Sequence, residues 1–210
     1  MLDNYEKLKS GVIKNLAPNP PVYDENYAMR YNNSLGGQAD QLSCLRLGLL
    51  LGCLNHPIAK LLDVGYGDGN FLERVSTVVP KCFGYDISPA FPLPSSTNIK
   101  SVSKVTGAFY DVVTFYNSLE HMPDIDFIKD IQCKYLAITT PWCHYFSDDW
   151  FQNWKHRKPD EHIWHFSDET LTRHMMRQGY TVIHYSNAED SLRGEKIGYA
   201  SYLTAIFKKG

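Results

Sequence analysis

Lys60-Leu61-Leu62-Asp63-Val64-Gly65-Tyr66-Gly67-Asp68-Gly69-Asn70 is the stretch that decides the fold. Lys60 to Val64 reads as a short buried strand, and Asn70 to Val79 as a helix that buries Phe71, Leu72 and Val75 on one face. The glycines at 65, 67 and 69 let the backbone turn sharply between them and let a ligand approach where a Cβ would stand. The helix behind the turn offers unpaired N–H groups and a positive dipole end, suited to a carboxylate or phosphate. Cys82 to Asp86 reads as a second strand, ending on a carboxylate 21 residues after Gly65. An acid there can accept hydrogen bonds from both hydroxyls of a ribose.

Outward from this unit the alternation continues. Asp111–Phe115 and Tyr135–Thr139 read as strands, with a short helix after Pro123 between them. Ser167 can cap a helix from Asp168 to Gln178, with Asp168 and Glu169 at its positive end and Gly179 to stop it. Tyr180–Tyr185 and Ser201–Phe207 alternate like a final antiparallel pair. Upstream, a helical pattern runs from Gln41 towards Pro57. Strand and helix in alternation predict an α/β sheet with a mostly parallel core. The first forty residues are polar and broken by Pro18, Pro20, Pro21 and Gly36-Gly37. Tyr23, Tyr27 and Tyr31 recur every four residues there, so a helix would carry them on one face, either as a packing stripe or as a lid over a ligand. We therefore divide the chain into an N-terminal helical lid or extension, 1–40, and one domain, 41–210, with an aromatic-rich insert at about 142–166.

Composition bounds the function. The chain has 210 residues, 21 basic and 23 acidic, a formal charge of -2, which opposes a general nucleic-acid binder. Five cysteines, an odd number without a Cys-x-x-Cys pair, favour reduced thiols in the cytoplasm. No leader is expected. The greasiest run, Leu45 to Leu54, contains Arg46 and falls short of the roughly 20 apolar residues that span a bilayer, so no membrane role is expected.

The dinucleotide fingerprint wants a glycine where Asn70 stands, which disfavours an NAD-dependent oxidoreductase. Glycines at 65, 67 and 69 within Leu61-Leu62-Asp63-Val64-Gly65-Tyr66-Gly67-Asp68-Gly69 instead resemble the class I S-adenosylmethionine-dependent methyltransferases. Gly84-Tyr85-Asp86-Ile87-Ser88 resembles the family's acidic end of strand two, Asp111 to Asp124 its fourth strand and following loop, and Ile138-Thr139-Thr140-Pro141 the end of strand five. Glu161 to Ser167 and the helix after them are similar to the C-terminal part of its small-molecule and sugar branch. The resemblance implies a Rossmann-like, seven-stranded, mostly parallel sheet flanked by helices, with a C-terminal antiparallel strand pair. It implies S-adenosylmethionine as cofactor and S-adenosylhomocysteine as product. Gly65, Tyr66, Gly67 and Gly69 would surround the methionine portion, with Asp63 near its ammonium. Asp86 and Ile87 would hold the nucleoside, and Asn117 and Ser118 would lie near the sulfonium; if the tyrosine stripe is a lid, Tyr31 would close over it. Only 24 residues separate Asp86 from Asp111, and Pro89, Pro92 and Pro94 oppose helix there. The family's usual helix before strand three is thus expected as loop. Ser101, Ser103 and Lys104 stand where the family often has an acid for the adenine amino group.

Residues 142 to 166 hold four of the eight histidines and all four tryptophans. After strand five, where α/β sheets open their crevice, they suit a small acceptor such as a sugar or an aromatic, or they pack an insert. Histidine suits a general base, and His165 and His162 are the first candidates, followed by His121. His162-x-x-His165 has helical zinc-ligand spacing without supporting ligands, so no metal is expected. The expected partner is a small-molecule acceptor, with the chain a monomer or homodimer. Two other readings stand: a non-catalytic S-adenosylmethionine-binding module, and a nucleic-acid methyltransferase. For the latter, Asn19-Pro20-Pro21-Val22-Tyr23 resembles the Asn-Pro-Pro-Tyr motif of adenine-amino methyltransferases, interrupted by Val22.

Overall fold

Leu61 and Leu62 are adjacent and both wholly buried, which requires a strand covered on its two faces. The computed structural model describes residues 3–34, 37–194 and 198–210, and the side chains of these outside 31–34. Two short strands, β1 (Tyr5–Lys7) and β2 (Ile13–Asn15), precede helices α1 (Glu25–Ser34) and α2 (Ala39–Cys53). There follow β3 (Lys60–Val64), α3 (Asn70–Ser76), β4 (Lys81–Tyr85), β5 (Ile99–Ser101), β6 (Phe109–Tyr116) and β7 (Gln132–Pro141). Then come α4 (Asp148–Asn153), β8 (Trp164–His165), α5 (Asp168–Arg177), β9 (Tyr180–Ser186), α6 (Glu189–Arg193) and β10 (Tyr202–Lys209).

Seven strands form one sheet in the order β5-β4-β3-β6-β7-β10-β9. The first five are parallel, and β10 runs antiparallel to both β7 and β9. This is the Rossmann-like sheet with its terminal antiparallel pair. Successive residues of a strand face opposite sides, so Leu61 and Val112 pack with Leu50, Phe71 and Val75 of α2 and α3. Leu62 and Val113 join the other layer, with Leu171 and Met175 of α5. A reciprocal capping box between Ser167 and Thr170 starts α5 where the sequence places it. The prolines between β4 and β5 leave that connection as loop, and the segment after Pro123 forms a single 3₁₀ turn, Asp126–Asp130.

The N-terminal stretch begins with strands, and α1 is its one helix among the described residues. β2 pairs antiparallel with β1 and with β8, setting Ile13 opposite His165 and Lys14 opposite Trp164. Three-residue strands are too short to show a period; a partner about 150 residues away stabilises this one. Asn15 then donates its side-chain amide to the carbonyls of Pro159 (2.7 Å) and His162 (3.3 Å), tying the segment before β8 in place.

Candidate active site

β3 and β6 lie side by side where the strand order reverses, and a crevice opens beyond their carboxyl ends. Gly65 leaves β3 with φ 75°, and a Cβ there would stand 2.5 Å from that of Ser118. Glycine is thus demanded by the chain's own serine, whose hydroxyl donates to the Val64 carbonyl. Gly67 donates its N–H to one oxygen of Asp86 (3.0 Å) and Ser88 donates to the other (2.8 Å). Asp86 therefore braces the turn, while each carboxylate oxygen keeps capacity for a further donor. Gly69, also at φ 75°, lies against Pro94.

At the mouth of β6, Asn117 adopts φ 55°, a left-handed conformation that asparagine tolerates better than most non-glycine residues. With its amide oxygen turned towards the guanidiniums, it accepts from Arg193 (2.8 Å) and Arg46 (3.3 Å). Both arginines also clasp the buried Glu189, Arg46 through 2.7 and 3.0 Å bonds and Arg193 at 2.8 Å. Burial alone would raise the Glu189 carboxyl; Arg46 and then Arg193 reverse this and bring its pKa to about 2. Asp63, buried with Thr114 donating to it at 2.6 Å, is pushed up to about 7 by burial, against the pull of Thr114 and Arg46.

Two cavities, of about 280 and 270 Å³, meet at Tyr27, Gly65, Tyr116, Asn117 and His121. The smaller takes in Gly67, Asp86, Ile87 and Ser118, under the edge-to-face rings of Tyr23 and Tyr27, 4.8 Å apart. The larger takes in Asp63 and Tyr66, then extends to Arg46, Glu120, His162 and Arg193. Eight of the ten residues expected around the donor thus line one crevice. Gly69 faces Pro94 instead, and the Tyr31 side chain lies outside the described residues. Ser101, Ser103 and Lys104 line neither cavity.

The three expected histidines separate. His121 and His162 both line the larger cavity, their rings 4.8 Å apart. His165 stands behind the wall, packed edge-on to Phe151 and Trp154 and 6.2 Å from the His162 ring. Burial lowers His121 to about 4, His165 to about 3 and His162 well below its ordinary value, so all three imidazoles are neutral at pH 7. None of the four tryptophans lines either cavity; Trp154 and Phe151 build a small core with Tyr5 and Ile13. The aromatic segment therefore packs, and the wall it supports is polar. Its backbone is stitched across the fold: Asn15 donates to the Ile163 carbonyl, and Ile163 donates to that of Glu120, both at 2.8 Å.

Arg46, Glu120, Glu189 and Arg193 carry roles that reading the sequence did not assign. Arg46 left a signal, a lone charge inside the apolar run Leu45 to Leu54. Glu120 sits 1 % exposed beside His121, and burial raises it to about 7, against its own backbone amide, Lys158, Arg193 and Thr140.

A sequence profile described as a methyltransferase domain matches residues 38–185, which is most of the chain and spans the crevice. The chain belongs to the methyltransferase family. Solved structures agree on its fold. An S-adenosylmethionine-dependent methyltransferase from Mesorhizobium loti is 13% identical over 83% of this chain and 100% of its own, with a TM-score of 0.57. The N-methyltransferase NodS from Bradyrhizobium japonicum is 13% identical over 80% and 94%, with a TM-score of 0.56. Magnesium protoporphyrin IX methyltransferase from Synechocystis, with bound S-adenosylhomocysteine, is 12% identical over 85% and 86%, with a TM-score of 0.60. No protein with a curated description matches the sequence. The chain is a methyltransferase, and it shares its fold with enzymes that use S-adenosylmethionine as methyl donor. The crevice fits that donor chemically: a bracing acid with free lone pairs stands below a side-chain-free turn, and a buried carboxyl opens onto the adjoining cavity. No helix among the described residues is long and apolar enough to cross a membrane.

Proposed function

We propose that this methyltransferase acts on a small-molecule acceptor held in the larger cavity, with Glu120, His121 and His162 at its reactive end. The observation that carries this reading is the backbone stitch Asn15–Ile163–Glu120, beside which Glu120 and His162 line one cavity of about 280 Å³. That room suits a metabolite-sized molecule, and a net charge of -2 gives no basic track for a polynucleotide. Asp86 grips the ribose hydroxyls through its spare lone pairs, next to Ile87. Asp63 meets the ammonium, which returns its carboxyl to the ionised state. Gly65, Tyr66, Gly67, Asn117 and Ser118 shape the space for the methionine portion, and Tyr23 and Tyr27 cover it as a lid.

When bound, the donor supplies an activated methyl group: its carbon–sulfur bond breaks with both electrons left on sulfur, as the acceptor's lone pair forms the new bond and its proton departs. The chain's share is alignment and the exclusion of water, together with proton-accepting groups at the acceptor. Neutral His121 and His162 present lone pairs there. His165 acts as a positioning residue, its ring backing His162. All these groups come from one chain, so a monomer suffices, and free cysteines suit a reducing cytoplasm.

Titration of the chain with S-adenosylmethionine, S-adenosylhomocysteine and NAD tests the donor, and methyl transfer to panels of small hydroxylated or amino compounds, RNA and DNA tests the acceptor. Binding of the first two ligands with turnover on a small compound is expected. Turnover confined to RNA or DNA overturns the acceptor assignment.

A further inference from the structure

Glu120 and His121 follow β6, while His162 precedes β8, yet the ligating atoms of the three lie within 4.8 Å of one another. Glu120 is 1 % exposed, and beyond the weak pull of its own backbone amide and of Thr140 neither of its carboxyl oxygens has a well-formed hydrogen bond. A carboxyl at such a depth stays ionised only beside a positive partner. The nearest cations are already engaged, Lys158 with Glu161 at 3.0 Å and Arg193 with Glu189 at 2.8 Å.

The two imidazoles are set alike. Nδ1 of His121 lies 3.1 Å from the Glu161 carbonyl, and Nδ1 of His162 lies 2.8 Å from the His156 carbonyl. A carbonyl only accepts, so each Nδ1 carries the proton and each Nε2 keeps its lone pair. Backbone carbonyls behind the ring fix tautomer and orientation in this way at metal-ligating histidines. Two oriented imidazoles and one poorly satisfied carboxyl thus stand together, with one ligating atom of each within 4.8 Å of the others.

We propose that Glu120, His121 and His162 bind a divalent first-row transition cation at the acceptor end of the larger cavity. This rests on the reading of that cavity as the acceptor site. With a cation bound, the two Nε2 lone pairs would go to it, so that the cation rather than a histidine would lower the pKa of the acceptor's hydroxyl. Two nitrogen ligands and one oxygen select zinc, iron, cobalt or manganese over the all-oxygen preference of magnesium and calcium. Atoms within 4.8 Å of one another lie at most about 2.8 Å from a common centre (4.8 Å divided by √3). Ligation at about 2.0–2.2 Å then asks each side chain to move by roughly 0.6–0.8 Å. Three protein ligands leave coordination positions open to the cavity, as catalytic rather than structural sites do. Those positions fit an acceptor whose reactive hydroxyl is flanked by a second oxygen, such as a catechol, a vicinal diol or a 2-hydroxy acid. His165, for all its spacing from His162, stands outside the cluster.

The full chain, stripped with a chelator, is titrated with Co²⁺ and then with Zn²⁺, and separately with S-adenosylhomocysteine. One Co²⁺ per chain is expected, with a visible absorption band that Zn²⁺ abolishes. Glu120→Gln and His121→Asn are each expected to weaken cation binding by about 100-fold or more, at least as much as loss of a supporting outer partner. Melting curves show that the variants are folded; His121, only partly buried, provides the milder of the two. A chain that binds S-adenosylhomocysteine but no cation at millimolar concentration overturns the inference and leaves the methyl-transfer reading intact. Cation binding that survives in both variants also overturns it. Failure to bind S-adenosylhomocysteine strikes the donor reading instead, and the cation titration is still read on its own.

Discussion

The crevice at the glycine turn and the polar wall of the larger cavity share Asn117 and are built in opposite ways. In the crevice, Gly65, Gly67 and Asp86 sit at the ends of neighbouring parallel strands, and their bonds run from backbone to the adjoining strand end. In the wall, Arg46 of α2 and Glu189 of α6 meet across 143 positions, and Glu120 shares a face with His162. Backbone geometry fixes the first region, and buried charge fixes the second. A change that adds a carbon should damage the crevice, whereas one that removes a charge should damage the wall.

The sharpest test of the wall is Glu189→Gln. It leaves Arg46 and Arg193 buried without their counter-ion, and loss of about 3–5 kcal/mol of stability is expected from chemical denaturation. The same carboxyl gives the wall a pH signature. Its folded pKa, about 2, lies below that of an exposed glutamate, so its stabilisation is complete above about pH 4.5 and is lost as pH falls towards 2. Melting temperatures of the parent chain should fall over that window, and Glu189→Gln should flatten the fall. An equal slope in both proteins would detach Glu189 from the wall's stability.

Gly65→Ala is the matching test of the crevice. It forces an alanine to φ 75° and pushes its Cβ to 2.5 Å from that of Ser118. Strain and overpacking together should cost about 2–4 kcal/mol, read in the melting curve and as weakened S-adenosylhomocysteine binding. Unchanged donor affinity would mean that the turn does not shape the donor site.

The same contrast explains what could be read without coordinates. Strand, turn and helix around Gly65 lie within about twenty residues, so period and punctuation expose them, and a mostly parallel sheet follows from the alternation. Asp86 and Asn117 were legible because they end strands. Glu120 was not, although it adjoins His121, because only the return of residues 156–163 along β2 turns it into part of a site. The strands β1 and β2 escaped for a related reason: each has three residues, and their register depends on β8. The tryptophans left two readings open, a region for a small acceptor and a packed insert, since composition cannot tell a ring that faces a ligand from one that packs another ring. Trp150 and Trp154 stack 5.3 Å apart, away from both cavities.

A smaller effect separates the two jobs of Asp86, bracing the turn and gripping a ribose. Asp86→Ala removes an acceptor from two backbone N–H groups, so donor affinity should drop by about 1–3 kcal/mol, measured by titration. If only the brace mattered, adenosine and 2′,3′-dideoxyadenosine would compete equally for the parent chain; preference for the diol shows that the carboxylate also holds the ribose.

The smallest expected change distinguishes the wall from what stands behind it. His165 is 2 % exposed and its Nε2 has no hydrogen-bond partner, so leucine replaces its volume while removing an unsatisfied buried nitrogen. Stability of His165→Leu should hold or rise slightly. S-adenosylhomocysteine affinity should stay level, because His165 lines neither cavity. Turnover should fall by no more than about tenfold, through looser seating of His162, whereas removing a general base costs about 10²–10⁴-fold. Single-turnover methyl transfer decides between them. A hundredfold loss at unchanged donor affinity would bring His165 into contact with the acceptor and require the wall to open further than the ring packing of Phe151 and Trp154 allows.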